Sequence, residues 1–138
     1  MNQQFHLKKE ERDRISAAVA AFLENQPNVD FAYLFGSFVE EGAFSDIDIA
    51  VMFAKDVGPM REVQLERQVS ELIGYPVEAV GLNRAPLSFR FRVISTGRLL
   101  MERDDNRRCD FEERAMVLYA DMKPFYQRWY GEVVLGSG

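Results

Sequence analysis

The sequence contains little of what marks secreted, membrane-spanning or strongly nucleic-acid-binding proteins. One cysteine among 138 residues allows no internal disulfide, which fits a reducing cytoplasm. Acidic residues outnumber basic ones by 22 to 17, and the resulting net charge of −5 argues against a broad electrostatic grip on nucleic acid. No apolar run approaches membrane-spanning length, and the polar N-terminus lacks a signal-peptide core. We therefore expect a cytoplasmic protein with neither a membrane nor a direct nucleic-acid partner.

The composition that remains is typical of one globular domain. An apolar content of 47% and a charged content of 28% are ordinary values, and a chain of this length can bury a core. No repeat, low-complexity tract or linker divides the sequence. We predict a single domain over residues 1–130 and a flexible tail over residues 131–138.

Strand-like and helix-like segments alternate along the chain. Apolar periodicity and its Pro and Gly boundaries predict strands at 29–35, 45–55, 76–82 and 98–102. The same signals predict helices at 8–24, 59–73, 86–95 and 104–129, with a short one at 37–41. Pro124 is expected to kink or break the last helix. This order predicts an α/β or α+β fold in which helices pack on a small mixed sheet.

Two aspartates at the start of the second strand are the most informative feature. On a strand, residues i and i+2 point to the same face, roughly 6.5–7 Å apart. Asp46 and Asp48 should therefore present their carboxylates side by side, while Ile47 turns into the core. Adjacent carboxylates repel each other unless a cation or a shared proton lies between them. Mg²⁺ prefers such oxygen ligands and often binds them together with substrate phosphates.

A glycine–serine pair closes the preceding strand. Gly36 and Ser37 offer amide and hydroxyl donors that can hold a phosphate where a helix begins. An Asp-x-Asp alone is more often a solvated strand edge or a turn, and a Gly-Ser pair alone is a weaker signal still. In the order strand, Gly-Ser, short polar segment, Asp-x-Asp, strand, they are far more specific. Phosphate and metal sites this close in sequence indicate a nucleotide enzyme.

This order of elements resembles the nucleotidyltransferase superfamily of DNA polymerase β. That superfamily has the pattern hG[GS], a spacer, then Dh[DE]h, in which h is apolar. The segments 35–37 (FGS) and 46–49 (DIDI) fit the pattern without departure. The resemblance implies a polymerase β-like nucleotidyltransferase fold.

Glu78 is the candidate for a third carboxylate. It lies in the predicted third strand, where Val77 and Ala79 face the other way. A lone charge among apolar neighbours is costly to bury, so Glu78 lies either at an exposed strand edge or against a metal ion. Two-metal nucleotidyl transfer uses a third carboxylate to hold the catalytic ion and to accept a proton. The superfamily resemblance favours the metal interpretation.

Longer segments resemble the small bacterial minimal nucleotidyltransferases (MNT). They are VEAVGLNRAP (77–86), RVISTGRLLMERD (92–104), and, at the end of the matching region, Phe111-Glu112 and YADMKP (119–124). The resemblance extends from about residue 12 to residue 124. That family usually has Asp where this chain has Glu78, and Gly81 replaces a frequent Asp. The members in question are antitoxins paired with HEPN-domain ribonuclease toxins.

The resemblance implies a protein adenylyltransferase that acts as an antitoxin. AMP would pass from ATP to a tyrosine hydroxyl of the HEPN toxin. Asp46, Asp48 and Glu78 would be catalytic and hold two Mg²⁺ ions, while Gly36 and Ser37 would bind the nucleotide. Two alternatives stay open, an antitoxin that inhibits by binding alone and a nucleotidyltransferase of a small hydroxylated molecule, although such enzymes usually carry an extra helical domain. The sequence leaves the nucleotide preference and the formation of a homo-oligomer open.

Overall fold

A computed structural model describes residues 3–130 of the chain, so the tail predicted over residues 131–138 lies outside the described residues. The helices are α1 (Lys9–Glu24), α2 (Pro59–Ile73), α3 (Leu87–Thr96) and α4 (Asp105–Tyr130). The strands are β1 (Val29–Phe35), β2 (Ile47–Phe53), β3 (Val77–Gly81) and β4 (Arg98–Glu102). None of these helices is long and apolar enough to cross a membrane.

The four strands form one mixed sheet in the order β3-β2-β1-β4. β1 pairs antiparallel with both β2 and β4, whereas β2 and β3 are parallel. The parallel pair needs a crossover connection, and α2 supplies it between β2 and β3. The predicted α/β fold with a small mixed sheet is confirmed, and β3 is an edge strand.

One predicted helix was wrong, and the last helix continues through the proline where a kink or a break was expected. Residues 37–41 form turns instead of a helix, closed by the bonds from Val39 N to Gly36 O and from Glu40 N to Ser37 O, both 3.2 Å. So short a segment cannot repay the cost of helix nucleation. Likewise α4 is not broken at Pro124 and continues to Tyr130. Both Pro124 and Ala120, whose carbonyl loses its helical partner, are exposed, so water can satisfy that oxygen.

Helices α1 and α2 cover one face of the sheet. α1 buries Ile15, Val19 and Leu23, which are spaced four residues apart along one side of the helix. α2 buries Leu65 and Val69 in the same cluster. Burying such a side chain contributes about 1.5–3 kcal/mol. Alternate residues of β2 belong to the same cluster, so this layer anchors that strand from one face.

Helices α3 and α4 lie on the opposite face. There Phe31, Tyr33 and Phe35 of β1 form a second cluster with Val93 of α3, and Phe111 of α4 packs against it. The Tyr33 hydroxyl also donates to Glu112 of α4 at 2.6 Å. Burial, followed by that carboxylate, raises the pKa of Tyr33 above its ordinary value, so the hydroxyl keeps its proton. The strand neighbours of Asp48 and Glu78 belong to the cluster that α1 and α2 cover. Because side chains alternate along a strand, Asp48 and Glu78 themselves point to this second face.

Candidate active site

Three carboxylates meet on this second face of the sheet. Asp48 and Glu78 are direct partners in the pairing of β2 with β3, and Asp46 immediately precedes β2. One oxygen atom from each of the three lies within 4.8 Å of the others. Ligands of one octahedral Mg²⁺ at about 2.1 Å lie roughly 3–4 Å apart, so this group is close to the spacing that a metal needs. The structure thus brings together the three residues that the sequence predicted as metal ligands.

Burial differs among the three acids. Asp46 and Asp48 are partly buried, whereas Glu78 is exposed on the edge strand. Ile47 is fully buried, which confirms that it turns into the core between the two aspartates. Its backbone N–H donates to Pro76 O at 2.9 Å, so the start of β2 is tied to the residue before β3. The backbone between the two partly buried aspartates is thus anchored to the edge of the sheet, while Glu78 faces solvent.

The surroundings of Asp48 favour its neutral form. Burial raises its pKa to about 6, and the neighbouring carboxylates of Asp46 and Glu78 act in the same direction. Arg92 acts in the opposite direction but does not cancel their effect. The protein therefore places more negative charge here than its own cations balance. A donor set made only of carboxylate oxygens, with uncompensated charge, fits a hard divalent cation such as Mg²⁺.

Gly36 makes room for the Asp48 carboxylate. Its φ of +79° lies in the left-handed region that favours glycine. A Cβ atom at this position would stand 2.2 Å from Asp48 Oδ2, which no real contact allows. The sequence predicted Gly36 as a donor to phosphate at a helix start, yet no helix begins here. The structure instead shows a glycine on which the position of Asp48 depends, while Ser37 lies partly buried in the following turn.

Arg12 of α1 holds the loop that follows Ser37. Its Nη1 donates to Phe38 O at 2.7 Å and to Glu40 O at 3.1 Å, and its Nη2 donates to Gly42 O. The guanidinium carbon also lies 5.2 Å from the centroid of the Phe38 ring. One side chain thus binds three carbonyls of a loop without regular structure. Sequence reasoning missed it, because these partners lie 26–30 residues away.

Arg92 of α3 is a cation that acts on the acidic group. It is exposed, and its charge lowers the pKa of Asp48. Two other arginines of the basic segment hold partners elsewhere, since Arg84 pairs with Asp56 at 2.6 Å and Arg90 turns away to a backbone carbonyl. The sequence alone does not distinguish Arg90 from Arg92, and only the folded α3 identifies Arg92 as the one that acts on Asp48.

A family model for the polymerase β nucleotidyltransferase domain matches residues 18–106, well over half of the chain. The match includes the three carboxylates and the Gly36-Ser37 pair. The chain belongs to the polymerase β nucleotidyltransferase family. The resemblance of the sequence to this superfamily is confirmed by the match.

Solved structures share the fold. A chain of the MntA–HepT toxin–antitoxin complex superposes with a TM-score of 0.65 at 21% identity, over 88% of this chain and 94% of that one. A chain from the complex of a tri-AMPylated Shewanella oneidensis HEPN toxin with MNT antitoxin superposes with a TM-score of 0.65 at 22% identity, over the same shares of the two chains. A chain from a toxin–antitoxin complex with AMP-PNP superposes with a TM-score of 0.66 at 22% identity, over 88% of this chain and 94% of that one. No curated protein sequence matches the chain.

Proposed function

We propose that this nucleotidyltransferase is an MNT antitoxin, which transfers AMP from ATP to a tyrosine hydroxyl of a HEPN-domain toxin. The observation that carries the proposal is the group formed by Asp46, Asp48 and Glu78, with one oxygen of each within 4.8 Å. The solved relatives support the partner, since they include a tri-AMPylated HEPN toxin with MNT antitoxin. The reaction draws on cytoplasmic ATP, which fits the cytoplasmic location expected from the sequence.

Each candidate residue has a role in this reaction. Asp46 and Asp48 would hold two Mg²⁺ ions, and Glu78 would complete the site of one of them. Bound Mg²⁺ supplies charge compensation on the phosphates and on the attacking and leaving oxygens. Ser37 and the turn after Gly36 would hold the outer phosphates. Preorganised charge and positioning are the main contributions that a protein makes to such a transfer.

At the phosphorus atom, the transfer breaks one bond and forms one. The tyrosine oxygen attacks the α-phosphorus of ATP, the bond from that phosphorus to the bridging oxygen breaks, and pyrophosphate leaves. The hydroxyl proton goes to a base, and we assign this role to Glu78 because it is the exposed member of the group. Arg92 faces the same charge from α3 and would bind the polyphosphate.

Intact mass spectrometry of a co-expressed HEPN partner tests the proposal. The wild-type chain is compared with the double variant Asp46→Asn/Asp48→Asn. A control double variant, Asp13→Asn/Glu71→Gln, removes two exposed charges from α1 and α2 on the opposite face of the sheet. We expect the partner to gain one or more AMP units with the wild type and the control but none with the active-site variant.

Two other outcomes would support the alternatives that the sequence left open. An unmodified partner that is still bound and inhibited would show an antitoxin that works by binding alone. A partner that is neither bound nor modified, together with nucleotide turnover on small hydroxylated molecules, would show a small-molecule enzyme. Proteolysis and mass mapping of a modified partner would identify the acceptor residue.

A further inference from the structure

A polar cavity lies on the same face of the sheet, away from the acidic group. Its volume is about 360 Å³, within the range of small-ligand pockets. Its lining includes Met52 of β2, which shares a face with Asp48 but lies four residues further along the strand. At about 3.3 Å per residue the two are roughly 13 Å apart. The cavity is thus separate from the candidate active site.

The lining of this cavity is positively charged. Three arginines, Arg90, Arg107 and Arg114, and two aspartates, Asp30 and Asp110, contribute a net charge of +1 in a chain of −5. Arg107 pairs with Asp30 through Nη1 at 2.6 Å, and Arg114 approaches Asp110 through Nη2 at 3.5 Å. Each pair engages one guanidinium nitrogen, so further N–H groups of both arginines stay available.

Arg90 has no carboxylate partner among the described residues. Its Nη2 donates to Asn83 O at 2.8 Å, and its guanidinium carbon lies 5.7 Å from the centroid of the Phe111 ring. Its Nε is buried without any hydrogen-bond partner in the described part of the chain. A buried charged donor without an acceptor is costly, and native proteins usually satisfy such a group with water or an ion.

We infer that this cavity binds a small oxyanion, the phosphate or carboxylate group of a ligand. The arginines on α4 provide the accessible donors, and Arg90 adds its positive charge and a buried Nε–H that lacks an acceptor. Guanidinium groups suit this chemistry because their N–H groups are fixed in a plane that matches the oxygens of such anions. Phe31 and Phe111 form the apolar part of the wall, against which the rest of a ligand can pack.

NMR observation of the Arg90 Nε–Hε group tests the inference directly. The Mg²⁺-free protein is titrated at constant ionic strength with inorganic phosphate, with acetate and with chloride. We expect saturable shifts of the Arg90 signal with phosphate or acetate and none with chloride. Shifts with phosphate alone indicate a phosphorylated ligand, and shifts with both indicate a site for either anion. Because the Arg90 signal reports on this cavity, it distinguishes anion binding here from phosphate binding near Ser37.

Two exposed arginines provide the matched variants. Arg114→Gln removes a donor from the cavity, whereas Arg84→Gln removes one that pairs with Asp56 outside it. We expect Arg114→Gln to weaken anion binding about tenfold, the scale of one charge-assisted hydrogen bond, and Arg84→Gln to leave it unchanged. An Arg90 signal that stays fixed up to high anion concentration overturns the inference, as do equal effects of the two variants. The cavity would then hold water alone.

Discussion

Asp48 and Glu78 lie directly opposite each other in the parallel pairing of β2 with β3. Partners in register point to the same face of a sheet, so strand pairing unites two carboxylates that are 30 positions apart in sequence. A slip of one residue would turn Glu78 to the other face and leave Asp48 with Asp46 alone. The geometry of the acidic group therefore depends on how β3 docks against β2.

Glu78 should be required for transfer as a charged group. We expect Glu78→Gln to lower the rate of AMP transfer at least about 100-fold, because a neutral amide neither holds the metal nor accepts the proton. Glu78→Asp should retain more activity, since it keeps the carboxylate. The control is Glu71→Gln, which removes an exposed carboxylate from α2. Undiminished transfer by Glu78→Gln would exclude Glu78 from the reaction.

Gly36 should be needed for activity more than for stability. Gly36→Ala is compared with Gly74→Ala, because both glycines have a φ of +79° but only Gly36 has Asp48 against it. The strained backbone should cost each variant about 1–2 kcal/mol of unfolding free energy. Only Gly36→Ala should lose activity, since its methyl group displaces the end of the Asp48 side chain. Denaturant unfolding and a transfer assay would measure both effects, and an active Gly36→Ala would contradict this role.

The pH dependence of stability should reflect the burial of Asp48 and the negative charges beside it. Its pKa is about 6 in the folded protein and near 3.8 when unfolded, so the folded state holds the proton more tightly. The resulting stabilisation is present at low pH and is lost as the pH rises from about 4 to 6. In Mg²⁺-free buffer at pH 7.5, Asp48→Asn should therefore be more stable than the wild type, by an amount on the order of 1 kcal/mol once solvent screening is allowed for.

Adding Mg²⁺ should make the wild type more stable than Asp48→Asn, the reverse of the order expected without the metal. The wild type should gain thermal stability from Mg²⁺ above pH 6 and little at pH 5, where the proton competes with the metal. Asp48→Asn should gain much less at either pH. Thermal unfolding of both proteins, with and without Mg²⁺ at the two pH values, measures the effect. If the unfolding temperature of the wild type changes with neither Mg²⁺ nor pH, the metal site is contradicted.

Arg92 should contribute to nucleotide binding. Removing its charge with Arg92→Gln should raise the KM for ATP about tenfold, the value of one charge-assisted hydrogen bond to phosphate. The control Arg84→Gln removes a cation that is paired with Asp56. Steady-state kinetics on both variants distinguish the two positions. If both leave KM unchanged, Arg92 does not contact the nucleotide.

Arg12 should act through the loop after Ser37. Losing its bonds to three carbonyls through Arg12→Gln should lower stability by on the order of 2 kcal/mol and raise the KM for ATP. In a double-mutant cycle, Ser37→Ala should cost less in the Arg12→Gln background than in the wild type, because the loop is already displaced. The exposed Arg14, which pairs with Glu11, provides the control substitution Arg14→Gln. Additive effects would limit Arg12 to a structural role.

The sequence predicted the strands and the aspartate pair because both depend on local rules, whereas the candidate role of Glu78 came from the family resemblance. Alternation along β2 places Asp46 and Asp48 together and buries Ile47, and the apolar neighbours of Glu78 identify its strand. The turns after Gly36 were mistaken for a helix, since the stabilising partner, Arg12, comes from a distant part of the chain. Arg92 was equally hidden, because only the packing of α3 decides which of its arginines reaches the acidic group.

The edge position of β3 has a consequence for substrate selection. Glu78 stands on a border strand, exposed to solvent and not at the bottom of a cleft. A hydroxyl carried by a folded macromolecule can approach from the side without being threaded into the enzyme. Such an open reaction centre discriminates poorly by shape. If the proposed function holds, selection of one acceptor must therefore come from the contacts between the two proteins outside the reaction centre.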